Sequence, residues 1–243
     1  MLQFKVFIFC MLIASSCWAQ SLEQQAKYIQ VNYGVKIYYN SDDSQIFTKK
    51  YLRGPYYGTC GKITKSKAYH ALRTIKKFFK AYPKELIKKN LKKIALCRDL
   101  GFYNLEHYYT GAVLRDEKMI FVEYYAIPNE MDDTLHHEFS SILLHKYMYL
   151  FPRREWYKNS GRYTKSLYKT INEDPWKSTV ALRNAGFLHF ISKNNFEDDF
   201  NILASGYFVE QKKMYRMIRG HSRLEAKYKI IKSFYKKIFD IER

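Results

Sequence analysis

Apolar positions recur at helical spacing in several long stretches of the chain. Between Ser66 and Ala81, the residues Ala68, Leu72, Ile75 and Phe79 share a face, flanked by Lys76, Lys77 and Lys80. That is the signature of an amphipathic helix. Pro83 suits the first turn of a short helix through Lys89. The stretch Thr134–His145 reads as a central helix running to about Leu150, before Pro152, with Asp132 or Asp133 as its cap. Val180–Ile191 also reads as helical, weakened by Gly186. Asn194-Asn195 then caps a helix carrying Phe200, Leu203, Ala204 and Phe208. The last helix opens on a capping box, Ser222-x-x-Glu225, and aligns Leu224, Tyr228, Ile231, Tyr235 and Ile238 along one stripe.

Alternation replaces the helical period in two stretches. Leu91–Leu100 places Ile94, Leu96 and Leu100 on one face of a strand. In Met119–Ile127, Ile120, Val122 and Tyr124 alternate with Phe121, Glu123 and Tyr125. A shorter strand is expected around Val35–Tyr39, but residues 20–64 otherwise carry little pattern. Residues 152–179 scatter Gly, Asn, Asp and Pro and read as a long, largely irregular connection. Helices mixed with a few strands predict an α+β domain with a small sheet and a helical C-terminal half.

Composition agrees with one packed domain: 47% of the 243 residues are hydrophobic and 18% aromatic. The first 19 residues read as a targeting segment. Lys5 precedes an apolar run from Val6 to Ala14, and Ser15-Ser16-Cys17-Trp18-Ala19 offers two cleavage points. Cleavage after Ala19 releases a soluble protein; cleavage before Cys17 leaves a cysteine that can carry lipid. Export to the cell envelope or beyond is the expectation, with residues 20–243 as the mature domain. Only Cys60 and Cys97 then remain, either bridged in an oxidising compartment or as two buried thiols. The net charge of +19 admits an anionic partner. The lysines, however, are spread beside apolar helix positions, as on solvated faces, and no nucleic-acid motif accompanies them. No nucleic-acid partner is expected.

His137-Glu138 is the first half of H-E-x-x-H, in which two histidines one helical turn apart hold zinc and the glutamate is general base. His137 is therefore a candidate metal ligand and Glu138 the candidate catalytic residue. Ser141 stands where the second histidine belongs, and a neutral hydroxyl is a poor zinc donor. His145 lies two turns on, ~12 Å along the helix, too far to share one ion with His137. His136, adjacent in sequence, points off the face and stays only a distant alternative as co-ligand.

The run HHEFSSILL, Gly186-Phe187-Leu188 leading to Glu197-Asp198-Asp199-Phe200-Asn201, and Ser222–Tyr228 follow one another in order. Together they resemble candidate zinc-binding metallopeptidases that occur as lipoproteins in bacterial envelopes, across about residues 65–240. That resemblance implies a zincin-like fold, with the strand before the active-site helix, Met119–Ile127, as the sheet edge along which a peptide lies. It implies an acidic third zinc ligand, Glu197 if Glu197-x-x-x-Asn201 is the pattern, or Asp198 if the alignment runs through Asp-Phe. Tyr207 stands where such proteins steady a tetrahedral intermediate. The competing reading makes the acidic run a first turn that complements its own helix dipole. Two functions follow. One is an exported zinc metallopeptidase hydrolysing peptide bonds through a metal-activated water. The other is a catalytically inactive envelope protein of the same fold, which binds a peptide or an anionic glycan.

Overall fold

In a computed structural model, the described residues are 21–53, 57–102, 110–124, 128–164 and 178–242. The expected targeting segment and residues 165–177 of the connection lie outside them.

The sheet explains how the central helix is presented. Four strands, β1 (Lys36–Tyr38), β3 (Lys93–Cys97), β6 (Met119–Glu123) and β5 (Gly111–Leu114), lie in the order β1-β3-β6-β5. β1, β3 and β6 run parallel, and β5 returns antiparallel to β6. Met119, Ile120, Phe121 and Val122 are all buried, as suits a strand covered on both faces. This corrects the expectation that Met119–Ile127 is the sheet edge. β6 is paired on both sides, β5 and β1 are the edges, and residues 125–127 of the predicted strand lie outside the described residues. Nothing in the short sequence Gly-Ala-Val-Leu announced β5.

Leu91–Leu100 also divides. β3 ends at Cys97, and β4 (Leu100–Phe102) pairs with β2 (Gly58–Cys60) in a separate two-stranded sheet. A disulfide between Cys60 and Cys97 ties the two sheets together. Inside it a second apolar cluster forms around Phe47, Leu100, Met119 and Phe121.

The helices cover the other face. Lys65–Lys80 forms the predicted amphipathic helix, burying Ala68, Leu72, Ile75 and Phe79. Leu22–Tyr33, unread from the sequence, is a helix opened by a reciprocal box in which Ser21 and Gln24 cap each other. The central helix spans Pro128–Lys146, so Asp132 and Asp133 lie within it and do not cap it. Asp132 is instead buried and accepts from Lys77 at 2.7 Å. Beyond the central helix, a short helix Arg153–Lys158 occupies ground read as irregular, and Val180–Asn184 is shorter than predicted. It stops before Gly186, whose φ of +84° a side chain would strain. The acidic helix Phe196–Val209 is capped by Asn195 as expected. The C-terminal helix Ser222–Ile241 buries its predicted stripe, but Ser222 lies inside it; Glu225 accepts from the Gly220 amide, so the predicted box does not form. Among the described residues no helix is long and apolar enough to cross a membrane.

Candidate functional site

Helical geometry puts His137, Ser141 and His145 in a row, because residues four apart lie one above another. The other side of the same helix is core: Leu135, Phe139 and Leu143 are fully buried. His136 is also in the core, accepting from or donating to the Tyr82 hydroxyl at 2.8 Å and stacking on Phe208. It takes no part in the row. His137 and Glu138 are half-buried on the central helix.

Two elements close on that row. β5 crosses the helix at Gly111, where an added Cβ would stand 2.3 Å from Thr134 Cγ2 and 3.1 Å from Glu138 Oε1. Only glycine allows so close an approach. The acidic helix packs along the central helix from the other side and delivers Glu197.

Glu197 is the hub. Its Oε1 accepts from the Ser141 hydroxyl and from Arg115 Nη2, both as short contacts. Its Oε2 lies 3.2 Å from His145 Nε2. Arg115 comes from the turn between β5 and β6, and its Nε and Nη2 also reach Ser141 Oγ at 3.1 and 2.9 Å. The serine in the second-ligand position therefore accepts twice and donates once, its full capacity.

The charges follow from these contacts. Burial would raise the Glu197 pKa, but the Ser141 hydroxyl, Arg115 and His145 together hold it below the ordinary carboxylate value. Among the described residues Glu138 has no such hydrogen-bond partner: burial first, then the charges of Glu197 and Asp198, push it up to about 8 against the pull of Arg115. Burial drops His137 to about 4, only partly opposed by Glu197. At neutral pH the site thus presents a neutral imidazole and a protonated carboxyl beside an ion pair.

The predicted residues are distributed as follows. His137 and Glu138 are neighbours on the central helix, and Glu197 joins Ser141 and His145. Asp198 turns away into its own helix cap, where its amide donates to Asn195 Oδ1 and its carboxylate accepts from Asn195 Nδ2, each at 2.9 Å. Burial raises it to about 6. Tyr207 stacks in an aromatic group with Phe208, Tyr228 and Tyr235. His145, too far from His137 to share an ion, meets the row through Glu197. Sequence reasoning missed Arg115, because a lone arginine in the polar turn Arg115-Asp116-Glu117-Lys118 carries no spacing signal.

No family model matches the chain, and no curated protein matches it. A solved structure from Bacteroides caccae, of a candidate zinc-binding metallopeptidase, superposes with a TM-score of 0.57 over 90% of this chain and 86% of that one, at 14% identity. The fold is metallopeptidase-like. At that identity the likeness extends to fold alone.

Zinc fits this donor set poorly. A zinc centre needs about three protein donors with free lone pairs. Among the described residues no group of three His, Cys, Asp or Glu side chains is disposed to hold a metal. His137 has no second donor one turn on, Asp198 is committed to its cap, and both oxygens of Glu197 are engaged, one by a fixed positive charge.

Proposed function

We propose that this chain is an exported cell-envelope protein of metallopeptidase-like fold that binds an extended peptide beside β5 without cleaving it. The observation that carries this reading is the Arg115–Ser141–Glu197 contact, which engages the position a second zinc ligand would need. Peptide binding is supported by β5, an edge strand with no ladder on its outer side among the described residues, whose Gly111 approaches Thr134 and Glu138. Such an edge takes a further strand by backbone pairing. Export is supported by the targeting pattern of residues 1–19 and by the Cys60–Cys97 bridge, which an oxidising compartment maintains. Membrane contact then requires only a lipid on Cys17.

The test is metal analysis of protein purified without chelator, with intact mass and a peptide assay on the same sample. The expected result is zinc far below one per chain and no hydrolysis. The mature N-terminus is expected at Cys17 or Gln20, and added peptide should protect the β5 amides from hydrogen exchange. One zinc per chain, with hydrolysis lost in Glu138→Gln, would overturn this reading in favour of the peptidase. An uncut N-terminus would overturn export.

A further inference from the structure

We propose that Arg115 is the resident cation of this site: its guanidinium, delivered by the β5–β6 turn, supplies the positive charge against Glu197 that a metal ion would otherwise provide. Ser141 and Arg115 then form one coupled arrangement, in which neither residue is understood without the other. This concerns the charge beside Glu197 and does not depend on whether a peptide binds.

The geometry makes the case. A carboxylate brought between two helices needs a counter-charge close by. Glu197 finds it in Arg115, whose Nη2 touches the same oxygen that the Ser141 hydroxyl touches. The guanidinium reaches Ser141 with two nitrogens at 3.1 and 2.9 Å, the fork geometry that arginine offers and lysine does not. Serine is small enough to admit the fork against the helix. An imidazole at position 141 would extend into the space the guanidinium holds, and it cannot both accept two bonds and donate one. So a second histidine and Arg115 compete for one volume and for one carboxylate. The pair is part-exposed, with the side chains of Arg115 and Glu197 at 39% and 29%. Its contribution to overall stability is accordingly small, and its effect is on which cation Glu197 accepts.

The experiment compares zinc titration of four folded proteins: the parent, Ser141→His, Arg115→Ala, and the double variant. The double variant should bind one zinc at least ~10-fold more tightly than either single variant, a change of the size that rearranged ligand surroundings produce. Adding His137→Ala should abolish that gain. Ser141→His binding as tightly as the double variant would overturn the proposal, since Arg115 would then not hold the place. So would one tightly bound zinc on the parent, or a folded double variant that binds no better than the parent. Should that double variant fail to fold, Ser141→His combined with Arg115→Gln takes its place. Zinc should raise its melting temperature but leave the parent's unmoved; equal responses would sink the idea.

Discussion

Glu138 shows how a single position takes its character from its surroundings. The helix register could be read from the sequence, but not that the charges of Glu197 and Asp198, on another helix, would act on this side chain. Burial together with those charges raises its pKa to about 8, from an ordinary value of 4.5. The sign of the consequence is fixed. Between those two values the folded chain holds a proton that the unfolded chain has released, so this group makes stability fall as pH rises. Glu138→Gln removes the slope while keeping the shape. Melting temperatures of parent and variant should agree near ~pH 5 and diverge by a few degrees by ~pH 9, the variant being more stable. Parallel profiles would show that Glu138 ionises like a solvated carboxyl.

At the scale of elements, a buried ion pair joins the helices of the C-terminal half. Lys227, on the C-terminal helix, donates to Asp199 Oδ2 on the acidic helix at 2.6 Å, and both side chains are fully buried. The same oxygen accepts from Trp156 Nε1 at 3.0 Å and from the Tyr163 hydroxyl at 2.7 Å, while Lys227 also donates to the Gly186 carbonyl at 2.6 Å. Five segments meet there. Burial pushes Asp199 up and Lys227 down, and each opposes the other's shift by its charge. In sequence Lys227 looks like any other lysine of a basic helix, and Asp199 like part of an acidic first turn. Lys227→Met should cost ~3–5 kcal/mol in urea unfolding, because it strands a buried carboxylate. Asp199→Asn with Lys227→Met, which removes both charges but keeps an acceptor for Trp156, should recover much of the loss. A loss within ~1 kcal/mol for the single variant would mean that water or another cation reaches Asp199.

For the whole molecule, the Cys60–Cys97 bridge joins the small sheet to the large one across 37 residues of chain. By chain entropy a loop of that length stabilises the fold by about 4 kcal/mol. Reduction, or Cys60→Ser with Cys97→Ser, should therefore lower the melting temperature by roughly 10 °C, taking ~2–4 °C per kcal/mol for a chain of this size. An unchanged melting temperature would show that the two sheets are held by packing around Phe47 and Phe121 alone. The sequence left the two cysteines open between a bridge and separate thiols, because pairing depends on where β2 and β3 come together.

What the sequence determined by itself was local. The period of Ala68, Leu72, Ile75 and Phe79 made one helix, the stripe from Leu224 to Ile238 another, and Asn195 capped the acidic helix. His137, Ser141 and His145 fell in line because a helix repeats every 3.6 residues. Tertiary structure decided everything that needs two segments to meet. It made β5 an edge of the sheet and β6 its interior, since strand order is not encoded in either strand's own pattern. It also set Arg115 against Glu197, and sent Asp198 into its own cap. Whether a half-motif is a metal site depends on which charges converge on it, and those charges come from positions far apart in the chain.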